Sequence, residues 1–200
     1  MYTDFYKLSG MPFQLTPDHR FYFGSSNHTR AMAHLTYGLH QGEGFIVITG
    51  EIGAGKTTMV GHLLSTLDKS RYVAANVVTT QLGPAAVLRM VAQAFHLPAG
   101  ASDKATLLQR LEYFLRRNDE KGRRCLLIVD EAQNLQPPAI EELRMLSNFQ
   151  VEQRALLQSF ILGQPQFRRT LASPDLAQFR QRVIASYHLG PMNEEETGLY

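Results

Sequence analysis

The run Gly50-Glu51-Ile52-Gly53-Ala54-Gly55-Lys56-Thr57-Thr58 carries the clearest chemistry in this sequence. It satisfies the pattern G-x-x-x-x-G-K-[ST] at every position. Glycine at these places lets a loop curl until successive backbone N–H groups point inward at phosphate oxygens. A helix opening at Lys56 adds its dipole and its unsatisfied N–H groups to the same anion. Lys56 is then placed to reach the β- and γ-phosphates, and the Thr57 hydroxyl to ligate Mg²⁺. The competing reading is a glycine-rich turn that happens to precede a lysine. An accidental match somewhere in a chain of this length is on the order of one in a hundred. The implied ligands are ATP and Mg²⁺.

A second constellation is Leu126-Leu127-Ile128-Val129-Asp130-Glu131, an apolar run ending in two acids. A strand of this kind sets both carboxylates at the carboxyl edge of a parallel sheet, where such sheets bind ligands. Asp130 is the expected Mg²⁺ ligand, directly or through water, and Glu131 the expected base for an attacking water. Taken alone the pattern is weak, because strands often end in acids at a solvated edge; the upstream phosphate loop gives it weight. The adjacent Glu favours hydrolysis over binding alone. Gln164 follows Gly163 at the tip of a run over residues 156–162. If that strand lies between the two motif strands, its amide faces the γ-phosphate and could hold the water. Otherwise Gln164 is a polar turn residue ahead of Pro165.

These groups need a scaffold, and hydrophobic patterning supplies one. Phe45-Ile46-Val47-Ile48-Thr49 and residues 125–129 are continuous apolar runs, the signature of strands buried on both faces. Further strands are expected over residues 72–80, 156–162 and 183–189. Helices are expected over residues 27–39 and 56–67, and from Pro84 through Phe95. Another follows a cap at Asp103 and carries Leu107, Leu108, Leu111, Phe114 and Leu115 on one face. Pro137-Pro138 open a helix carrying Ile140, Leu143, Leu146 and Phe149. Short helices fit residues 166–171 and 175–181. Alternating strands and helices imply an α/β fold, a parallel sheet with helices on both faces. Residues 1–25 read as an irregular, aromatic-rich lead-in. Asn193 followed by three glutamates reads as the cap and first turn of another helix.

Bulk properties bound the rest. Two hundred residues suit one α/β domain. A net charge of +2 gives no strong pull toward nucleic acid or anionic lipid, so nucleic acid is not an expected partner. The arginine pairs at 116–117, 123–124 and 168–169 are read as solvated faces. The single cysteine, Cys125, excludes an internal disulfide and fits a reducing cytoplasm, with burial in its strand the expected fate. Seven histidines lack paired ligand spacing, which gives no transition-metal site. No apolar run approaches the ~20 residues of a membrane span, and the first residues lack the pattern of a signal peptide.

With these motifs in place, the chain resembles the AAA+ ATPases of the ExeA/GspA secretion type along nearly all its length. It looks closest to those found with exosortase (XrtA)/PEP-CTERM loci, which serve export of surface proteins and exopolysaccharide. The resemblance rests on Pro12-Phe13-Gln14-Leu15-Thr16-Pro17-Asp18, on residues 44–58, and on Asp130-Glu131-Ala132-Gln133-Asn134-Leu135. It also rests on residues 142–149, Gly163-Gln164-Pro165 and Gln181-Arg182-Val183. It implies a P-loop αβα sandwich over residues 1–192 with a five-stranded sheet ordered 5-1-4-3-2. It implies a small helical lid, of which residues 193–200 would be the start, with its nucleotide-sensing arginine beyond residue 200. Ring-like or dimeric self-association and docking of the cytoplasmic domain at the inner membrane are further implications. So is a place near the adenine for the segment around Pro12-Phe13. Clamp-loader relatives carry Ser-Arg where this chain has Gln181-Arg182, which implies that Arg182 reaches a neighbouring subunit's ATP. A local pairing of Arg182, with Asp175 for example, is the competing reading, and Arg180 is a nearby rival. Three other functions share the core motifs: a helicase, which needs a second motor domain; an ATP-dependent DNA-binding adaptor or loader; and a scaffold that never turns over, which Glu131 disfavours.

Overall fold

The computed structural model describes residues 2–7, 22–79 and 83–200. The segment from Pro12 to Asp18 and its place near the adenine therefore lie outside the described residues. Five long strands form one parallel sheet: β1 (Phe45–Gly50), β2 (Tyr72–Val78), β3 (Arg124–Asp130), β6 (Leu157–Gly163) and β7 (Val183–Leu189). Their spatial order is β2-β3-β6-β1-β7. Counting only the long strands, this is the 5-1-4-3-2 arrangement. The difference in detail is a small separate antiparallel hairpin, β4 (Gln150–Val151) with β5 (Arg154–Ala155), inserted ahead of β6. Two-residue strands are too short to leave a period in the sequence.

The apolar runs are continuous because the sheet is buried twice. Phe45 and Val47 of β1, with Cys125, Leu127 and Val129 of β3, belong to one core. Ile46 and Ile48, with Leu126 and Ile128, belong to the other. Alternate side chains point to opposite faces of a strand, so each face needs its own apolar set. Helices α2 (Ser26–Gln41) and α3 (Lys56–Thr66) cover the second core. Helices α4 (Pro84–Ala94), α5 (Lys104–Asp119) and α6 (Pro137–Leu146) cover the first, giving three layers.

Local chemistry sets the helix ends. The Ser25 side chain caps α2 by accepting from the His28 N–H, and the Asp103 carboxylate caps α5 by accepting from Thr106. Proline occupies the first turn of both α4 and α6. On α5, Leu107, Leu111 and Leu115 are buried, while Leu108 and Phe114 pack at the margin of the core.

Several boundaries differ from the sequence expectation. The lead-in contains a short helix, α1 (Tyr2–Phe5), α2 begins at Ser26, and α6 ends at Leu146, short of Phe149. The region before β7 breaks into α7 (Phe167–Ala172), a 3₁₀ turn (Pro174–Leu176) and α8 (Ala177–Arg180), with Pro174 interrupting the pattern. The final helix, α9 (Glu194–Leu199), is capped by Asn193 in a reciprocal box with Glu196. Cys125 is buried, and burial pushes its thiol up to about 12. Among the described residues no helix is long and apolar enough to cross a membrane.

Candidate nucleotide-binding site

Strand register brings the chemistry-bearing residues to one edge. Gly50 pairs with Leu189, Thr49 with Gly163, and Val78 with Asp130, so β1, β2, β3 and β6 all end there. The chain leaves β1 at Gly50 and enters α3 at Lys56. Between them Gly53 and Gly55 take φ of 80° and 82°, the left-handed region that glycine adopts without a Cβ penalty. The first helical bond runs from the Met59 N–H to the Gly55 carbonyl at 2.8 Å. The N–H groups of Lys56, Thr57 and Thr58 therefore precede the helical ladder, as an anion site at a helix start requires. Glu51 and Ile52 lie exposed on the loop, and Ala54 is half-buried.

Lys56 is 7% exposed. Its ammonium donates to the carbonyls of Gly50 at 2.8 Å and Glu51 at 2.9 Å, which holds the charge inside the curl of the loop. Burial lowers its pKa, with Glu131, Asp130 and Glu51 pulling the other way. The Thr57 hydroxyl donates to Asp130 Oδ2 at 2.6 Å and links loop to acid strand. A hydroxyl and a carboxylate in contact form a hard-oxygen set suited to Mg²⁺.

Glu131 carries a feature that its sequence does not announce. Its backbone sits at φ 56°, ψ 36°, a conformation uncommon for a residue with a Cβ. Such conformations persist only where neighbours over-determine them, and they cluster at working sites. Here Thr79 is the clamp. Its N–H donates to the Asp130 carbonyl at 3.0 Å. Its hydroxyl lies 2.9 Å from that carbonyl and 2.7 Å from the Glu131 carbonyl. Asn134 Nδ2 in turn donates to the Thr79 carbonyl at 2.9 Å.

The Glu131 carboxylate is held by the Gln133 amide, and Gln164 Nε2 reaches the same oxygen at 3.4 Å. The Gln164 N–H donates to Gln133 Oε1 at 3.0 Å, and Gln166 donates to Gln164 Oε1 at 2.8 Å. Strand β6 does lie between β1 and β3, the condition on which the Gln164 reading depended. Neither Thr79 nor Gln133 was singled out from sequence. The end of β2 at the same sheet edge was the available signal for Thr79; Gln133 stood within the Asp130–Leu135 motif of the resemblance but was given no role. Thr79→Val should cost about 0.5–1.5 kcal/mol, the net worth of one hydrogen bond, because the Asp130 and Glu131 carbonyls keep backbone donors in the Thr79 and Asn134 N–H groups. It should also lower turnover more than nucleotide affinity, because it acts on Glu131 and not on the loop. Denaturant melts and steady-state ATPase assays read the two effects, and unchanged stability and turnover would contradict the clamp.

Arg182 is not part of this cluster. Its guanidinium donates to Asn148 Oδ1 at 2.7 Å and to the Ser147 carbonyl at 3.3 Å, not to Asp175. Arg180 turns away to the carbonyls of Leu171 and Ser173. Phe45 pairs with Val183 at the amino edge of the sheet, and Gly50 with Leu189 at the other. Arg182 is thus a strand length, roughly 15–20 Å, from this chain's own loop. Cavity size does not locate the site either. A cavity of about 390 Å³ lies at the amino edge near Tyr72, Arg124 and Gln158. A smaller one of about 140 Å³ is lined by Thr57, Thr58, Asn76 and Asp130. The phosphate loop is recognised by its backbone geometry and charge, not by enclosed volume.

The comparisons with known proteins agree with this geometry. A model of the AAA domain matches residues 39–171. General secretion pathway protein A of Aeromonas hydrophila is 37% identical over 201 aligned residues, which take in 100% of this chain and 37% of that protein. The chain thus spans little more than a third of the relative's length. Among solved structures, the ORC2 protein of Aeropyrum pernix in its ADP form superposes with a TM-score of 0.64 at 15% identity, over 96% of this chain and 53% of that one. Cdc6p from Pyrobaculum aerophilum gives 0.59 at 15% identity, over 93% and 49% respectively. At such identities the two structures speak to the fold alone. From the phosphate loop, the acid-ended β3, the sheet order and the domain match together, the chain belongs to the AAA-domain family.

Proposed function

We propose that the chain binds ATP with Mg²⁺ and hydrolyses it to ADP and phosphate. We propose further that it energises or switches assembly of a bacterial secretion or exopolysaccharide-export apparatus. The observation that carries the enzymatic part is the Thr57–Asp130 contact, which joins the phosphate loop to the acid strand beside Glu131. When bound, Mg²⁺ would neutralise charge on the β- and γ-phosphate oxygens. Residues 50–58 cradle the phosphates, Lys56 exchanges its two carbonyl partners for them, and Thr57 and Asp130 hold the metal. Glu131, released from Gln133, takes a proton from the water that attacks the γ-phosphorus. The bond to the β-phosphate oxygen breaks as the new P–O bond forms. The Gln164 amide orients that water.

Arg182 suits a neighbouring subunit's nucleotide in a homo-oligomer. It is too far from its own loop, and a guanidinium can neutralise charge on the transferring phosphoryl group. Arg182→Ala should leave the ATP affinity of the isolated domain nearly unchanged while removing the concentration-dependent part of its turnover. Fingers of this kind are worth roughly 10³–10⁵ in turnover where GTPases use them. Mixed with Lys56→Ala, whose arginine is intact, the Arg182→Ala protein should regain part of its activity. No recovery at any ratio, in subunits shown to co-assemble, would leave Arg182 a structural residue.

The export role draws on the relative's name and on the motifs shared with exosortase/PEP-CTERM-associated ATPases. That reading places the domain in the cytoplasm, peripheral to the inner membrane, with residues 1–192 as the ATPase body and 193–200 opening the helical lid. The test uses the whole protein as the cell makes it, held in its ATP state by Glu131→Gln. Inner-membrane export proteins should co-purify with it and not with Lys56→Ala. ATP-stimulated, salt-sensitive DNA capture in their place would favour a loader instead.

A further inference from the structure

The first turn of α2 lies directly behind the phosphate loop, and His28 is its point of contact. His28 is 8% exposed, and both its ring nitrogens are engaged. Nδ1 lies 2.7 Å from Ser25 Oγ, and Nε2 lies 3.1 Å from the Ala54 carbonyl oxygen. A carbonyl can only accept, so Nε2 carries the proton, and Nδ1 accepts from the Ser25 hydroxyl. Burial, the first cause of the lowered His28 pKa, favours this neutral ring.

We propose that His28 is a positioning residue of the nucleotide site: it fixes the peptide plane between Ala54 and Gly55. The inference deepens the ATP reading and rests on it for the ligand. In a trans peptide the C=O and the following N–H point in opposite directions. Holding the Ala54 carbonyl against His28 on the outer side turns the Gly55 N–H toward the inner, ligand-facing side of the curl. Backbone N–H groups aimed inward are what such a loop offers a phosphate. The same contact gives Gly55 a second reason to be glycine, because a Cβ there would lie 2.7 Å from His28 Nε2. The supporting end of α2 is itself anchored. The Ser26 N–H donates to Glu196 Oε1 at 2.6 Å, and Asn27 Nδ2 donates to the Pro191 carbonyl at 3.0 Å.

Glutamine and asparagine separate positioning from packing. The amide nitrogen of Gln lies as many bonds from Cα as His Nε2 does, so His28→Gln can still donate to Ala54. The amide of Asn matches Nδ1 and stops short. Calorimetry with ATP and Mg²⁺ should show about a tenfold weakening for His28→Asn, the scale of one hydrogen bond, and a near-parental value for His28→Gln. Two further readouts need no nucleotide. Long-range ¹H–¹⁵N spectra should show the parent ring protonated at Nε2. The Met59 amide, bonded to Gly55, should lose hydrogen-exchange protection in the Asn variant and keep it in the Gln variant. Parental affinity and Met59 protection in His28→Asn, equal losses in both variants, or a ring protonated at Nδ1 would overturn the proposal. A parent that binds no nucleotide would overturn the ATP reading instead, and the spectra and exchange data would then decide the role of His28.

Discussion

Lys56→Ala should abolish tight binding of ATP. The side chain is the cation held within the curl of the loop, already desolvated and resting on the carbonyls of Gly50 and Glu51. A phosphate oxygen replaces a neutral partner with a charged one. Each hydrogen bond to a charged group is worth about 1.5–3 kcal/mol. Losing two such bonds weakens affinity roughly 10²–10⁴-fold. Equilibrium titration with a fluorescent ATP analogue in Mg²⁺ reads the loss directly. The lysine used as control matters. Lys104 lies 2.6 Å from the carboxylate of the buried Glu142, so its removal would disturb the α5–α6 contact. Lys121 is exposed and its alanine variant should bind like the parent. Equal affinity in Lys56→Ala and Lys121→Ala would sink the loop assignment.

Glu131→Gln should keep ATP affinity near the parental value and reduce turnover about 10²–10⁴-fold, the contribution usual for a positioned general base. The amide preserves the shape of the side chain but cannot take the water's proton. Asp130→Asn should fail differently. Both Asp130 oxygens already accept, one from the Thr57 hydroxyl and one from the Glu131 N–H. An amide there turns one acceptor into a donor facing Thr57 and weakens the metal ligand, so binding in Mg²⁺ should fall together with turnover. Steady-state phosphate release beside equilibrium binding separates the two neighbours. A Glu131→Gln protein that turns over at the parental rate would move the base elsewhere.

Much of this arrangement was legible in the residues, and the reason is physical. Runs such as Phe45-Ile46-Val47-Ile48 must be buried on both faces, which requires a sheet covered twice and places the loop and the acids at one edge. The loop itself is local chemistry, encoded by glycines and a helix start that lie next to one another in sequence. Contacts made across the fold were not legible. Thr79 meets Glu131 only because β2 pairs with β3, and His28 meets Ala54 only because α2 packs back beside α3. The left-handed backbone at Glu131 is likewise imposed by that clamp, since no preference of glutamate foretells it. The 150–155 hairpin and the break at Pro174 lie in segments too short for periodicity to resolve.

Calorimetry of the parent chain with ATP shows whether residues 50–58 and Asp130 form one ATP·Mg²⁺ site. One titration contains Mg²⁺ and the other an excess of EDTA. The expected result is one nucleotide per chain, bound distinctly more tightly with the metal, and an advantage that disappears in Asp130→Asn. No binding, or an affinity indifferent to Mg²⁺ in the parent, would mean that these residues form no such site.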